Sequence, residues 1–162
     1  MIILGVDPGY AIVGFSVLSF QKNTFNVLSY GAITTESDMK YEDRLVKIGD
    51  GISELIEKFK PAYLSIESLF FTSNQKTAIA VAGARGAIIM TARKRGLEIF
   101  SYTPLQVKQA VVGYGRATKG QVIEMTKTLL NLKEKPKLDD TSDALALAIC
   151  HAHSFNSALH GI

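Results

Sequence analysis

The feature that most constrains this chain is its first apolar run, Ile2-Ile3-Leu4-Gly5-Val6, which ends at Asp7-Pro8-Gly9. Four of the five residues before Asp7 are large aliphatics without polar alternation, a pattern typical of a strand buried on both faces of a sheet. In open α/β sheets, ligands bind beyond the carboxyl ends of such strands, so Asp7 is a candidate site residue. The alternative is a simple turn in which the Asp7 side chain caps its own backbone.

Length and composition predict a single ordinary domain, residues 1–162. The chain has 162 residues, 47% of them hydrophobic and 20% charged, which is enough to bury one core. Cys150 is the single cysteine, which excludes an internal disulfide and fits a reducing cytoplasm. No membrane-spanning segment or secretory signal is recognisable, so we expect a cytoplasmic protein without a membrane partner.

The charge is unevenly distributed along the chain. The formal net charge is +3, but residues 1–70 carry six Lys and Arg against nine Asp and Glu, whereas residues 71–162 carry twelve against six. A basic second half is the usual footprint of a phosphate-backbone partner. An evenly solvated basic face would give the same count, so charge alone does not identify the partner.

The first half of the chain predicts four strands and one helix. β-rich runs over Ile12–Phe20 and Thr24–Thr34 follow the first strand and are joined by a hairpin-like connection at 21–23. Apolar residues at three- and four-residue spacing predict an amphipathic helix over Met39–Lys60. The strand Ala62–Glu67 comes next, and the crossover makes it parallel to the first strand.

Glu67 ends this parallel strand as Asp7 ends the first one. The carboxyl ends of adjacent parallel strands meet at one edge of a sheet, so the two carboxylates should lie side by side. That arrangement is unfavourable unless a cation joins them.

The second half predicts more helices than strands. Small residues crowd a helix over Asn74–Arg95 and would allow close packing against the sheet or another helix. A fifth strand follows at Leu97–Tyr102. Two Thr-x-x-Gln capping boxes then begin helices after Thr103 and Thr118.

Two loops carry residues suited to nucleic-acid contact. Phe70 and Phe71 lie in a stretch that is otherwise typical of a loop; Phe71 is expected to close a helix end, and the role of Phe70 is open. The loop Gly113–Lys119 places Arg116 and Lys119 beside a helix N-terminus, where a phosphate can bind. A simple Gly-x-Gly turn would use the same residues.

Asp140 and Asp143 precede an unbroken apolar run that predicts the last helix. Their three-residue spacing places both carboxylates on one helix face, while Asp139 points about 100° away. An N-cap Asp followed by an acid in the first turn would explain this pair without any chemistry. It would not explain Asp7 and Glu67.

Together these acids form the set that two divalent ions require: Asp7, Glu67, Asp140 and Asp143. Four carboxylates can hold two Mg²⁺ ions about 4 Å apart, which activate a water and stabilise the leaving oxygen of a phosphodiester. No Ser/His/Asp arrangement competes. The histidines are expected to be exposed or near the end of the last helix rather than ligands; they are His151, His153 and His160.

Six motifs make the chain similar to a known family over nearly its whole length. They are Gly5-Val6-Asp7-Pro8-Gly9, Ile66-Glu67 with Phe70, Gly83-Ala84-Arg85-Gly86, Pro104-x-x-Val107-Lys108, Gly113-x-Gly115-x-Ala117-x-Lys119-x-Gln121-Val122 and Asp140-x-x-Asp143-Ala144-x-Ala146. In combination they resemble the RuvC family of Holliday junction resolvases, within the ribonuclease H-like superfamily. The neighbouring Asp139 departs from the pattern and leaves a choice of register, in which Asp-x-x-Asp-Ala selects Asp140.

The resemblance implies an α/β ribonuclease H-like fold, with helices flanking a five-stranded mixed sheet of order 3-2-1-4-5. It implies a homodimeric endonuclease that resolves four-way DNA junctions by paired symmetric nicks, in homologous recombination and DNA repair. The implied cofactor is Mg²⁺, two ions per site, with Mn²⁺ as a candidate substitute. A branch-migration helicase complex is a candidate loading partner.

The resemblance also assigns roles to individual residues. The family's metal-binding acids correspond to the four acids named above, and its junction-contacting aromatic corresponds to Phe70. Its DNA-contacting lysines correspond to Lys108 and Lys119. With Arg116 from the glycine loop, these residues are the predicted nucleic-acid contacts.

Three other interpretations compete. The pattern Asp7-x-Gly9-x-x-x-x-Gly14 also resembles the first phosphate loop of actin-like and sugar-kinase ATPases, but those proteins need a second such half. A smaller resolvase-like family that acts on ribosomal RNA shares the strand-end Asp. A non-catalytic nucleic-acid-binding module is the third, and the presence of all four acids argues against it.

Overall fold

A five-stranded mixed sheet organises the computed structural model of the chain, which describes residues 1–69 and 75–160. The strand order is β3-β2-β1-β4-β5, which confirms the predicted topology. The elements are β1 (Ile2–Asp7), β2 (Ile12–Gln21), β3 (Thr24–Thr34), α1 (Tyr41–Phe59), β4 (Tyr63–Glu67), α2 (Gln75–Lys94), β5 (Glu98–Tyr102), α3 (Pro104–Val112), α4 (Lys119–Leu129) and α5 (Asp139–His160).

Strand β1 lies at the centre of the sheet because its side chains are apolar on both faces. Ile3, Leu4 and Val6 are fully buried. The strand pairs antiparallel with β2 and parallel with β4, and Val6 faces Ile66 in the parallel register. Asp7 and Glu67 therefore end neighbouring strands at the same edge, as the sequence predicts.

The β2–β3 hairpin is tighter than the predicted connection of three residues. Gln21 still pairs with Thr24, so the loop is only Lys22 and Asn23. Both have positive φ, 50° and 60°, which is the backbone of a two-residue turn whose twist matches the flanking strands.

Helices α1 and α2 cover one face of the sheet. The apolar stripe of α1 buries Ile48, Ile52 and Ile56 against β1, β2, β4 and α2. The helix ends at Lys60, whose left-handed φ of 49° lets its N–H reach the carbonyl of Ile56 before Pro61. The predicted start of α2, Asn74, lies outside the described residues.

Helices α3, α4 and α5 cover the other face. The Thr103–Gln106 and Thr118–Gln121 capping boxes both form, which confirms these two helix starts. Residues 144–150 of α5 are all buried, as their apolar run predicts. Across the described residues, no helix combines the length and apolarity needed to cross a membrane.

The expectation for the histidines was wrong at His151. Helix α5 continues to His160, so His151 lies within it, buried among the rings of Tyr63 and Phe100. Its Nδ1 is 2.8 Å from the Tyr102 hydroxyl, and burial lowers its pKa to about 4. The apolar pattern of α5 runs past Cys150, and a neutral imidazole is accommodated within it.

Candidate active site at the carboxyl edge of the sheet

Asp7 and Glu67 lie at the edge where β1 and β4 end. The residues just before them, Val6 and Ile66, are partners in the parallel register. Burial, followed by the charges of Glu67, Asp143 and Asp140, raises the pKa of Asp7 to about 8. Burial, followed by the charge of Asp143, also raises the pKa of Glu67. The four predicted acids therefore form one electrostatic cluster, which gathers negative charge where β1 ends.

The first turn of α5 reaches this edge because the helix packs directly on the strands. A Cβ at Gly14 of β2 would collide with the backbone of Asp140. The Thr141 hydroxyl donates to the carbonyl of Gly31 on β3 at 3.1 Å. Asp140 is thus positioned by backbone contact with the strand that pairs with β1.

Two buried serines hold the body of α5 to the sheet. Ser16 of β2 donates to the Ala144 carbonyl at 2.7 Å, and Ser65 of β4 donates to the Leu147 carbonyl at 2.7 Å. Both serines are fully buried, where a hydroxyl without a partner would be unfavourable. These bonds fix the position of the helix on both sides of β1, and hence the position of Asp143.

Lys119 contacts the cluster directly. Its Nζ lies 3.3 Å from Oδ2 of both Asp139 and Asp143. Partial burial lowers the pKa of Lys119, but the two carboxylates outweigh this effect and raise it above the ordinary value. The Asp139 side chain is 73% exposed and that of Asp143 is 39% exposed. Asp143 is therefore the more buried of the two side chains, and it lines the cavity beside Glu67.

A cavity of about 260 Å³ extends from the acids between α3 and α4. Lys108 and Lys119 border it together with Glu67 and Asp143, over an apolar floor that includes Leu147. Both predicted DNA-contacting lysines are therefore beside the acids. Arg116 is exposed on the loop between α3 and α4, away from the lining of this cavity, and Phe70 lies outside the described residues.

Arg85 of α2 supports the end of β4 from the other face. Its Nε donates to the Glu67 carbonyl at 3.0 Å, and its terminal nitrogen donates to the Ser101 hydroxyl at 2.7 Å. The guanidinium group therefore joins β4, β5 and α2 at the residue that carries a site carboxylate. Arg85 belongs to a motif in the sequence, but its partners are brought to it only by the fold.

The donor set suits a hard divalent cation. The cluster supplies carboxylate oxygens, which are the preferred ligands of Mg²⁺. Burial and, after it, the charges of the neighbouring carboxylates raise the pKa of Asp7. In the described part of the chain, no three His, Cys, Asp or Glu side chains stand close enough together to hold a metal ion. Asp143 instead faces the ammonium group of Lys119. Metal binding by the four acids stays a prediction.

Sequence reasoning overlooked the residues that position the acids. In the sequence, Gly14 is part of a phosphate-loop pattern and Arg85 is part of the motif Gly83-Ala84-Arg85-Gly86. Neither pattern indicates which residues they contact. Ser16 and Ser65 carry a usable signal, because a hydroxyl inside an otherwise buried strand requires a hydrogen-bond partner.

Comparison with known proteins agrees with this architecture. The family model described as "Crossover junction endodeoxyribonuclease RuvC" matches residues 3–151. A protein of that name from Ruminiclostridium cellulolyticum is 54% identical over 154 residues, covering 95% of this chain and 93% of its own. The RuvC structure from Thermus thermophilus is 31% identical, covers 99% of this chain and 97% of its own, and superimposes with a TM-score of 0.90.

A second structure, T. thermophilus RuvC in complex with Holliday junction substrate, superimposes with a TM-score of 0.93. It is 31% identical and covers 98% of this chain and 96% of its own. Sequence and fold therefore agree over almost the full length. The chain belongs to the RuvC family of crossover junction endodeoxyribonucleases.

Proposed function

We propose that this protein resolves four-way DNA junctions by metal-assisted hydrolysis at the acid cluster. As a member of its family, the chain is a crossover junction endodeoxyribonuclease and acts on Holliday junctions. The proposal concerns how it does so, with Asp7, Glu67, Asp140 and Asp143 as the catalytic, metal-binding residues. The observation that carries it is that Asp7 and Glu67 end neighbouring parallel strands at the edge where the first turn of α5 packs. Burial, followed by the charges of the other three acids, raises the pKa of Asp7 to about 8.

Two Mg²⁺ ions, replaceable by Mn²⁺, are the proposed cofactors. When bound, they would activate the attacking water and stabilise the leaving oxygen of the scissile phosphodiester. The chain's own acids would hold them, and Asp7 would have to lose its proton on binding because it is protonated in the metal-free cluster at neutral pH. Asp140 is proposed rather than Asp139 because the charge of Asp140 contributes to the raised pKa of Asp7. Asp139 is instead exposed and forms an ion pair with Lys119.

Cationic side chains around the acids would orient the DNA backbone. Lys119 and Lys108 border the cavity that opens from Glu67, so a phosphate that lies against the acids would also contact them. Arg116 lies on the exposed loop before α4 and would contact a neighbouring phosphate. Phe70 is proposed to stack on an unpaired base at the crossover.

The proposed setting is homologous recombination and DNA repair in the cytoplasm. A branch-migration helicase complex would load the protein on junctions. Residues 1–162 would work as one domain, which is supported by two apolar clusters that share the same sheet.

A homodimer follows from the substrate. Resolution into two duplexes requires nicks in two strands related by a two-fold axis, and one chain supplies one acid cluster, so a symmetric dimer is needed. Helix α2 is the proposed interface. Gly83 packs under Tyr41 and Ala84 is fully buried, so these small residues serve the chain's own core. Gly86 instead has open space around it.

Exposed apolar side chains on α2 support the same assignment. Ile79 is 69% exposed and Met90 is 54% exposed.

Light scattering without DNA should give about 35 kDa, twice the 17.6 kDa chain. Met90→Asp should shift the protein toward the monomer, whereas Leu28→Asp, at an exposed apolar position on β3, should not. A wild-type monomer at micromolar concentration that makes single unpaired nicks would refute the dimer.

The experiment that tests the function is cleavage of a synthetic four-way DNA junction by purified protein in Mg²⁺. We expect paired nicks at symmetric positions, and no cleavage in EDTA. Structured RNA, offered at the same concentration, should remain intact. Preferential cleavage of the RNA would favour the RNA-processing interpretation.

A further inference from the structure

A second groove lies on the other side of the α5 start from Lys108 and Lys119. It occupies about 740 Å³ between strand β3 and the segment that leads from α4 to α5. We name it the basic groove. Its lining comprises Tyr30, Gly31, Ala32, residues 131–138 and Thr141.

The charge of the basic groove is strongly one-sided. Lys133, Lys135 and Lys137 line it, and Glu134 is the one acid in its lining. All three lysines are exposed, and in the described ranges the ion pairs involve other cations, Lys47, Arg95 and Lys119. Their charges are therefore available to a ligand.

The same strand borders a groove of opposite charge on the α1 side. This acidic groove, about 590 Å³, is lined by Asp43, Asp50 and Glu54. Its lysine, Lys47, is bound to Glu36 at 2.8 Å. A polyanion that approaches β3 would be attracted to the basic groove and repelled from the acidic groove.

The basic groove lies close to the acid cluster. Asp7 pairs with Gly14, and Gly14 pairs with Ala32, so Ala32 of the groove is two strand spacings from Asp7, about 10 Å. The groove therefore lies within a few nucleotides of DNA backbone from the acids. Thr141 ties the groove to the first turn of α5, which carries Asp140.

We propose that the basic groove binds the phosphate backbone of the duplex arm that leaves the cleavage site, within a few nucleotides of the scissile phosphate. The proposal rests on the junction-cleaving function above. The acids would then be bordered by cations on both sides: Lys108 and Lys119 toward the α3–α4 face, and the three groove lysines toward β3. Contacts on both sides would hold the backbone across the crevice and orient one arm relative to the crossover.

The test is a comparison of junctions that differ in arm length. A variant with Lys133→Gln, Lys135→Gln and Lys137→Gln would be titrated with a long-armed junction and with a short-armed one, in EDTA to prevent cleavage. In the short-armed junction, only the two symmetry-related arms that face the groove are shortened, each closed by a hairpin loop before the groove. Affinity for the long-armed junction should fall, and its salt dependence should decrease by about one logarithmic unit for each phosphate that is no longer bound. Affinity for the short-armed junction should not change.

Matched controls separate this effect from the loss of net charge. Lys22→Gln, Lys58→Gln and Lys60→Gln together remove three charges at the opposite end of the sheet from Asp7, and should bind both junctions as wild type does. Glu134→Gln should tighten binding of the long-armed junction. Thermal melting would verify that each variant is folded.

Two results would overturn the proposal. One is a groove variant that binds the long-armed junction with the affinity and salt dependence of the control variant, which would be expected if the groove served a protein partner. The other is an equal loss on both junctions, which would place the lysines at the crossover. Cleavage of four-way DNA by wild type, measured in parallel, tells these outcomes apart from failure of the proposed function itself.

Discussion

Each face of the sheet is covered by its own cluster of buried apolar residues, but the helices pack on the two faces in different ways. On the α1–α2 face, the helices pack mainly through side chains such as Ile48 and Ile88, and the surface near β3 is acidic. On the α5 face, the helix backbone itself touches the strands at Gly5 and Gly14. Close backbone contact fixes the helix start within the site, which side-chain packing at about 10 Å separation would leave looser.

The two faces also differ in the charge of their surfaces. Cations border the acids on the α5 face, whereas the surface of α1 and α2 carries acids together with exposed apolar residues such as Val46 of α1 and Met90 of α2. The basic surface and the exposed apolar surface are therefore separate. Substitutions on the two faces should accordingly have different effects.

The largest effect should follow from removing a single acid from the α5 edge. Asp7→Asn, Glu67→Gln, Asp140→Asn and Asp143→Asn should each lower junction cleavage by about 1,000-fold or more, since removal of a metal ligand costs several kcal/mol of transition-state stabilisation. Junction binding should be largely kept, as gel-shift measurements in EDTA would detect. Asp139→Asn is the control and should change cleavage little. Equal loss at Asp139 with retention at Asp140 would show that the register is wrong.

Gly14→Ala should reveal how closely the helix backbone is packed. The added methyl group would collide with the Asp140 backbone, so we expect a loss of about 1–3 kcal/mol in unfolding free energy, together with reduced cleavage. Urea unfolding and junction cleavage measure the two effects. Gly120→Ala, at an exposed helical position where the added methyl group would meet only the Thr118 hydroxyl oxygen at 3.9 Å, should not lower the unfolding free energy. A Gly14→Ala protein as active and stable as wild type would contradict the packing argument.

In metal-free buffer, the acid cluster should make the protein less stable as the pH rises. Burial and the neighbouring carboxylates raise the pKa of Asp7 from 3.8 to about 8. Between these values the folded protein keeps a proton that the unfolded chain has released, so the contribution to the unfolding free energy decreases with increasing pH. The Tm of Asp7→Asn in EDTA should therefore increase relative to wild type from about pH 5 to about pH 8.

Added Mg²⁺ extends that experiment. It should raise the Tm of wild type more than that of Asp7→Asn, because a ligand that binds only the folded state stabilises it. An equal gain in both proteins would mean that stabilisation by metal does not depend on Asp7. A Tm difference that is constant with pH would contradict the proposed titration.

The smallest effects should come from the DNA contacts. Lys108→Ala and Lys119→Ala should each weaken junction binding and reduce its salt dependence by about one logarithmic unit. Phe70→Ala should lower cleavage with little change in salt dependence, because stacking contributes about 1–3 kcal/mol without releasing counterions. A Phe70→Ala protein that fails to fold, judged by circular dichroism, would instead identify Phe70 as a core residue.

Much of the architecture could be predicted from local patterns. The aliphatic run before Asp7, the helical spacing of α1 and the two capping boxes each depend on residues a few positions apart, and each element formed as predicted. Element ends shifted by one or two residues. Helix α5 was the exception, because its buried stripe continues past Cys150 and includes His151.

The amino-acid sequence by itself determined the central strand, the parallel crossover and the placement of Asp7 and Glu67 at neighbouring strand ends. These features follow from side-chain periodicity and chain connectivity, which act over short separations. Only the tertiary structure decided which cations and backbone groups surround those acids. The contacts of Gly14 with Asp140, of Lys119 with Asp143 and of Arg85 with the Glu67 carbonyl join different elements. The packing of helices on the sheet brings them together, and no local pattern encodes that packing.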